Sequence, residues 1–216
     1  MKKLLLILLI VGIFCFNAEA TPDLDVHLQN YYLLQESAVS LLIIRDDKVF
    51  SCSGIIITED QNSVGILTAG HCFKGNTTRI IVNEEYVSTT FEIADNVDIG
   101  YVELNHSLLR YNPVKIAKAN ARKGDLVYYL GYPKLAEKYE VGIVTWYEIK
   151  NQYMYMVSTK GCSGAGIVNK KGYLVGILWG GTNGTIYGVQ AGIVVMTPIE
   201  RIKPFLVKIG VWDKIK

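Results

Sequence analysis

The chain has 216 residues, 50% of them hydrophobic, with 22 basic and 20 acidic side chains. A chain of this length can bury one sizeable core, or two smaller cores that share an interface. The near balance of charge argues against nucleic acid as a partner, because nucleic-acid binding calls for a basic face.

The N-terminus has the pattern of a secretory signal peptide. Lys2-Lys3 is followed by the apolar stretch Leu4–Phe16, and Ala18-Glu19-Ala20 places small residues at a cleavage site. We expect cleavage before Thr21, so that residues 1–20 are removed and the protein is secreted, either extracellular or periplasmic. An uncleaved membrane anchor is the alternative, but an apolar stretch of this length falls short of the roughly 20 residues that a spanning helix needs. No stable membrane span is therefore expected after cleavage.

The rest of the chain is dominated by short apolar, β-branched runs separated by Gly, Asn and Asp. A short helix is predicted first, over Leu24–Ser37. The predicted strands are Ser40–Arg45, Phe50–Ile57, Gly65–Thr68, Arg79–Val82, Ile99–Leu104, Leu126–Gly131, Val141–Tyr147, Tyr153–Val157, Ala165–Val168, Tyr173–Trp179 and Gly188–Val195. Their spacing predicts an all-β barrel or sandwich. The polar stretch Asn105–Asn112 is predicted to connect two halves.

The C-terminal region predicts one closing helix. Thr197-Pro198-Ile199-Glu200 has the pattern of a capping box, with proline at the first helical position. The apolar residues that follow, Ile202, Phe205, Leu206 and Ile209, have helical spacing.

Only three histidines are available as a general base. His27 lies in the predicted leading helix and His106 in the predicted connection. His71 follows an apolar strand, within Thr68-Ala69-Gly70-His71-Cys72, where small residues allow close approach of the backbone. His71 is therefore the candidate base, although a structural histidine at a strand end is the alternative.

A candidate nucleophile lies in the turn Gly161-Cys162-Ser163-Gly164. Glycines on both sides of Ser163 permit conformations closed to other residues, so that the turn could present the hydroxyl. A serine hydroxyl becomes an effective nucleophile when a neighbouring base takes its proton. The amides of Gly161 and Ser163 could together stabilise an oxyanion. Taken alone, the pattern is equally typical of an ordinary glycine turn.

A third residue is needed to orient the imidazole and offset its charge. Asp98 opens the apolar strand Asp98-Ile99-Gly100, and Asp95 is a nearby competitor that lacks apolar residues immediately after it.

Taken in order, these His, Asp and Ser motifs resemble the trypsin/chymotrypsin-like serine proteases of bacterial type, from about Ser37 to the C-terminal helix. The resemblance implies an all-β fold of two six-stranded antiparallel β-barrels with a C-terminal helix. It implies one peptidase domain over residues 21–216, with the barrels dividing near 105–120. It also implies a catalytic triad of His71, Asp98 and Ser163, and oxyanion-hole amides at Gly161 and Ser163.

Three cysteines remain after residue 20, and export favours pairing two of them. In the family that this chain resembles, a disulfide lies beside the catalytic histidine, which implies a Cys52–Cys72 bridge and a free Cys162. The family usually has Asp or Asn before the nucleophile, where this chain has Cys162. Cys162 could itself be the nucleophile, as in viral relatives. Ser163 is preferred, because the oxyanion glycine then falls at Gly161, whereas for Cys162 it would be Lys160.

The resemblance also implies a substrate pocket that includes Val157, Ser158, Leu178, Trp179 and Gly180, with Gly188 opposite. Valine at the floor disfavours lysine or arginine in the substrate, because nothing offsets the burial of their charge. Ser158-Thr159 and Trp179-Gly180-Gly181 are also similar to the glutamyl endopeptidases, which carry histidine where this chain has Leu178. Apolar substrate residues are therefore favoured, with acidic ones as the alternative.

The sequence predicts a serine endopeptidase, acting as a monomer on polypeptide substrates through an acyl-enzyme. No metal ion or organic cofactor is expected. A catalytically inert secreted binding protein on the same fold is the second hypothesis. A lipase or esterase of the α/β-hydrolase type is disfavoured, since its triad runs Ser, Asp, His along the chain.

Overall fold

The computed structural model describes residues 22–105, 112–148, 150–186 and 189–215. This part of the chain forms thirteen strands, two α-helices and three short 3₁₀ turns. The strands divide between two barrel-like sheets, and a helix follows the last strand. The predicted all-β fold of two barrels with a C-terminal helix is confirmed.

The first sheet contains strands β1 to β7 in the order β5-β4-β1-β2-β3-β7-β6. Their ranges are β1 Ala38–Arg45, β2 Lys48–Glu59, β3 Val64–Thr68, β4 Thr77–Val82, β5 Tyr86–Ser88, β6 Thr90–Ile93 and β7 Gly100–Leu104. The two edge strands, β5 and β6, are separated along the chain only by Thr89. Counted as one strand they give a six-stranded, nearly closed barrel. The Ser88 hydroxyl strengthens the closure by donating to the Glu103 carbonyl across it (2.6 Å).

The second sheet is a closed barrel of six antiparallel strands in the order β10-β13-β12-β11-β8-β9. Their ranges are β8 Leu126–Gly131, β9 Lys138–Tyr147, β10 Gln152–Tyr155, β11 Gly166–Asn169, β12 Leu174–Ile186 and β13 Val189–Pro198. Closure pairs every edge, so the backbone polar groups of the buried strands find partners.

Buried side chains form three clusters. The first barrel encloses one, which includes Leu41 and Ile66, and the second barrel encloses another, which includes Ile167 and Met196. The third lies between the barrels and joins strand residues of both to the two helices. It includes Leu67 of β3 and Val168 of β11, because the apolar faces of both barrels are buried against each other.

Helix α1, Pro22–Ser37, precedes the first barrel and packs mainly against β8 of the second. Leu34 is buried in the cluster between the barrels. The Asn30 side chain donates to the Lys170 carbonyl of the second barrel (3.3 Å). The Ser37 hydroxyl donates to the carbonyl of Asn112 (2.6 Å). A segment predicted only as a lead-in therefore contributes to the core between the barrels.

Helix α2, Ile199–Lys208, begins directly after β13. The predicted capping box is wrong, because Thr197 belongs to β13 and no side chain of the preceding residue caps the helix. The Asn120 side chain instead accepts the Glu200 amide hydrogen (3.1 Å). A residue distant in sequence thus supplies the N-terminal hydrogen bond that a local cap usually provides.

Candidate active site

His71 lies in a short 3₁₀ turn, Gly70–Phe73, which follows β3. Gly70 packs against the backbone of Ile99, and a Cβ at this position would lie 2.9 Å from the Ile99 carbonyl oxygen. A larger residue would push the turn away from the start of β7. The predicted disulfide between Cys52 and Cys72 is confirmed, and it ties this turn to β2. Arg45 adds a further anchor by donating to the His71 carbonyl (2.9 Å).

The His71 side chain is paired with Asp98. One carboxylate oxygen accepts the His71 backbone amide hydrogen (2.6 Å), and the other lies 2.7 Å from the ring Nδ1. A carboxylate accepts hydrogen bonds, so this contact places the proton on Nδ1 and leaves Nε2 as an acceptor. The His71 and Asp98 side chains are 32% and 27% exposed, so the pair is shielded but reachable.

Asp95, the competing carboxylate, lines the same cavity as His71 but has a different partner. It pairs with Lys208 of helix α2 at 2.7 Å, and the hydrogen bond from Lys208 lowers the pKa of Asp95. Both side chains of that pair are largely exposed. Of the two aspartates, only Asp98 is therefore placed to orient the imidazole.

The turn that carries Ser163 is shaped by its two glycines. Gly161 and Gly164 have φ values of +102° and +93°, a region that other residues rarely adopt. Gly164 also packs so tightly against the Ser53 carbonyl and the Thr68 hydroxyl that a methyl group would overlap both. Since Thr68 ends the strand that leads to His71, this contact brings the serine turn to the histidine turn across the barrel boundary.

Backbone hydrogen bonds hold the turn in place. The Ser163 carbonyl accepts from the Ser53 amide (2.8 Å), and the Gly164 amide donates to the Leu178 carbonyl (2.7 Å). Within the described ranges, neither the Gly161 amide nor the Ser163 amide has an acceptor. Among those same residues the Ser163 hydroxyl makes no hydrogen bond, including to His71. The Ser163 carbonyl and the Gly164 amide thus hold the turn in place, while the Gly161 and Ser163 amides remain available to donate.

Ser53 was not predicted as a site residue, yet it is the central polar contact between the barrels. Its side chain is completely buried. The Ser53 hydroxyl donates to the Gly161 carbonyl (2.8 Å) and accepts from the Tyr132 amide (2.8 Å). Thr68 donates to the Ser53 carbonyl (2.7 Å). A serine within the otherwise apolar stretch Cys52–Ile57 of β2 was the available signal, because a buried polar group needs partners.

Cys162 is a buried free thiol behind the turn. Its sulfur lies 3.8 Å from the Tyr129 hydroxyl and 3.7 Å from the Thr159 hydroxyl. Burial raises the pKa of Tyr129, which keeps its hydroxyl protonated. That hydroxyl donates to the Val157 carbonyl (2.7 Å), so Tyr129 anchors the segment that enters the turn.

A cavity of about 330 Å³ opens beside Ser163. Its lining residues are Ser158, Thr159, Lys160, Ser163, Gly180, Gly181, Gly192, Ile193 and Val194. No acidic side chain belongs to this described lining.

The predicted pocket residues are placed differently from one another. Ser158 and Gly180 line the cavity beside Ser163, whereas Trp179 lines a neighbouring one that contains His71 and Asp98. Val157 is 54% exposed, and Leu178 is 1% exposed within the second barrel's core. Neither of these two borders the Ser163 cavity. Gly188 lies outside the described residues, as do His106 and residues 1–20, which were predicted to be a signal peptide.

Over the described ranges, no three His, Cys, Asp or Glu side chains are grouped to hold a metal ion. In that same part of the chain, no helix is both long and apolar enough to cross a membrane.

Two barrels with His71, Asp98 and Ser163 at their boundary define the trypsin-like class of fold. The family model of the trypsin-like peptidase domain matches residues 52–177, more than half of the chain. The chain therefore belongs to the trypsin-like peptidase domain family.

Solved structures show the same fold at low sequence identity. The active form of the Rv3671c protease from M. tuberculosis is similar at a TM-score of 0.71 and 19% identity, with 88% of this chain and 87% of that chain covered. A serine endoprotease from Yersinia pestis is similar at a TM-score of 0.67 and 21% identity, with 88% of this chain and 68% of that chain covered. The HtrA-type protease AlgW with a tripeptide is similar at a TM-score of 0.68 and 16% identity, with 88% of this chain and 64% of that chain covered. No curated protein matches the sequence.

Proposed function

We propose that this chain is an exported serine endopeptidase in which Ser163 is the nucleophile, His71 the general base and then acid, and Asp98 its orienting partner. The observation that carries the proposal is the His71–Asp98 pair, joined at 2.7 Å beside the turn that holds Ser163. His71 and Asp98 both line a cavity, and with Nδ1 held by the carboxylate the Nε2 atom is the one left to take a proton.

The first half of the reaction uses groups of this chain. Ser163 Oγ attacks the carbonyl carbon of the scissile peptide bond while its proton passes to His71 Nε2. Asp98 accepts the Nδ1 hydrogen bond and stabilises the resulting imidazolium. His71 then gives the proton to the departing amine, and the C–N bond breaks to leave an acyl-enzyme on Ser163.

In the second half, water takes the place of the amine. His71 removes a proton from the water as it attacks the acyl carbon, and returns that proton to Ser163 Oγ when the acid product leaves. In both halves the negative oxygen is stabilised by the Gly161 and Ser163 amides, which have no acceptor among the described residues. One such donor typically contributes about 2.7–4 kcal/mol to transition-state stabilisation.

Export is proposed from the N-terminal sequence and supported by the disulfide. Residues 1–20 are proposed to be a signal peptide, and residues 21–216 one peptidase domain whose barrels are joined near 105–120. The Cys52–Cys72 bridge is typical of an oxidising compartment, such as the cell exterior or the periplasm. The mature protein is proposed to act as a monomer on polypeptide substrates.

The substrate residue before the scissile bond is proposed to be apolar or aromatic. Three glycines together with Ile193 and Val194 make up more than half of the residues that line the cavity beside Ser163. The lining offers no carboxylate to a substrate lysine or arginine. Lys160 is the one charged residue of this described lining. A substrate glutamate is therefore the alternative, because Lys160 could pair with its carboxylate.

The test is covalent labelling by a fluorophosphonate, which reacts with an activated serine. We expect one probe per molecule at Ser163, found by peptide mass analysis. Ser163→Ala should lose the label, while Cys162→Ala should keep it, because the buried thiol is not the nucleophile. A folded wild-type protein that takes up no probe would instead support the inert binding protein, and labelling of Cys162 would overturn the assignment of Ser163.

A further inference from the structure

A large groove lies at the base of helix α2, away from Ser163. It has a volume of about 940 Å³ and is formed by the segment before β8, the first turn of α2 and the C-terminal turn. Four cationic side chains line it, at Lys118, Arg122, Lys123 and Lys203, and all four are exposed. We call this surface the basic groove.

Among the described residues, the cations of the basic groove have no ion-pair partner. The ion pairs of the described residues are His71–Asp98, Lys138–Glu140 and Lys208–Asp95, and none includes a groove residue. Glu200 is the one acidic residue in the lining, and its carboxylate accepts a hydrogen bond from the Tyr147 hydroxyl. Like charges gathered on one wall raise the local concentration of an oppositely charged ligand.

The floor of the groove is apolar. Ile116, Ile199, Trp212 and Ile215 contribute to it. Lys203 places its ammonium group 4.7 Å from the centre of the Trp212 ring, which fixes one cation above the apolar surface. A ligand that carries both carboxylates and apolar side chains would complement the cations and the apolar floor together.

The groove and the cavity at His71 are related through a third cavity, which shares lining residues with each of them. The cavity that contains His71 and Asp98 shares Arg201 and the loop 94–97 with this third cavity, which has a volume of about 460 Å³. The third cavity shares Glu200 with the basic groove. The first turn of α2 therefore borders all three cavities, so an extended polypeptide bound at His71 could run along this helix to the groove.

We infer that the basic groove binds an acidic segment of the polypeptide substrate, with interspersed apolar residues, at a distance from the scissile bond. This inference rests on the proposed peptidase function for the identity of the occupant. A polypeptide is favoured over a nucleic acid, because Lys203 already lies over the Trp212 ring and the chain as a whole is near neutral.

The first experiment measures binding without cleavage, in the Ser163→Ala protein. The probe is a fluorescent octapeptide of alternating Glu and Leu, compared with the same peptide carrying Gln for Glu. We expect the Glu peptide to bind at least tenfold more tightly at low salt, and its affinity to fall as salt is added. Equal affinity for the two peptides would overturn the inference.

The groove is tested by the triple variant Lys118→Glu, Arg122→Glu and Lys203→Glu, with the milder Gln triple variant alongside in case charge reversal impairs folding. Each surface charge pair is individually weak, so we expect a combined loss of about tenfold for the Gln variant and more for the Glu variant. The matched control reverses Lys48, Lys170 and Lys171, which are exposed and outside the groove. An equal loss in the control, or none in the groove variants, would show that the peptide binds elsewhere.

A third measurement separates substrate binding from polyanion binding and from catalysis. An oligonucleotide of equal charge that binds more tightly than the peptide, with the same loss in the groove variants, would overturn the polypeptide assignment. Probe labelling at Ser163 without peptide binding would refute the groove alone. Peptide binding without labelling would refute the peptidase function and leave the groove as a binding site.

Discussion

The buried Ser53 hydroxyl donates to the Gly161 carbonyl across the boundary between the two barrels, at 2.8 Å. The same hydroxyl accepts from the Tyr132 amide, so one side chain links β2 of the first barrel to two loops of the second. Because Gly161 is one of the two proposed oxyanion donors, we propose Ser53 as a positioning residue for that site.

Ser53→Ala is expected to lower kcat about tenfold with little change in KM. The alanine leaves the Gly161 carbonyl and the Tyr132 amide without their buried partner, which typically costs about 1–3 kcal/mol. Losing the bond to the Gly161 carbonyl would loosen the position of Gly161, whose amide is needed only as charge develops, so kcat should carry the effect. Steady-state kinetics with a peptide substrate measures both constants.

The control for that prediction is Ser40→Ala, in β1. Ser40 is also buried, but its hydroxyl faces Asn83 and not the serine turn. A fall in thermal stability without a fall in kcat for Ser53→Ala would mean that Ser53 is only structural.

Asp98→Asn is expected to lower kcat by about 10⁴-fold while the fold is retained. An amide nitrogen facing Nδ1 would favour the tautomer with the proton on Nε2, which cannot then accept the Ser163 proton. Asp95→Asn is the matched control and should stay within twofold of wild type, because Asp95 pairs with Lys208 on the surface. Comparable losses in the two variants would remove Asp98 from its proposed role.

Replacing both Cys52 and Cys72 by alanine is expected to destabilise the protein by about 3 kcal/mol. The bridge closes a loop with a sequence separation of 20 residues, and a loop of this size restricts the unfolded chain by about that amount. Chemical denaturation measures the change in the free energy of unfolding. Non-reducing peptide mapping of the wild type checks the pairing, which a Cys72–Cys162 link would contradict.

Peptides that differ only in the residue before the scissile bond should be cleaved at least tenfold faster with leucine or phenylalanine than with glutamate or arginine. Burying an apolar side chain in the cavity gains about 25 cal/mol for each Å² removed from water, whereas arginine finds no carboxylate there. The ratio of kcat/KM values measures the preference.

Lys160→Gln distinguishes the two possible pockets. In this variant, kcat/KM for cleavage after leucine should stay within twofold of the wild-type value. Lys160 is exposed at the cavity and contributes charge, not apolar surface. A clear preference for glutamate that disappears in this variant would reject the apolar pocket in favour of an acidic substrate.

Much of the fold could be predicted from local patterns. Short β-branched runs between turn residues predict strands wherever one face of the chain is buried, and the two-barrel architecture is confirmed. Strands β5 and β6 were missed, because Glu84, Glu85 and Thr89-Thr90 interrupt the apolar pattern around them. Barrel closure decides that these two strands form the edges of the first sheet.

The sequence alone determined the residue types at the proposed site. Glycines on either side of Ser163, small residues before His71 and an apolar strand after Asp98 are local features that a linear pattern records. The catalytic roles drawn from them stay predictions, while the Cys52–Cys72 disulfide is confirmed.

Only the tertiary structure decided which groups meet. Asp98 and not Asp95 reaches His71, Ser53 reaches Gly161, and Asn120 in place of Thr197 caps helix α2. Each of these hydrogen bonds joins residues far apart along the chain. Their geometry is set when the two barrels close and pack against each other, because only then do buried donors and acceptors lose water and require partners within the protein. A sequence pattern records the donors and acceptors but not the distances between them.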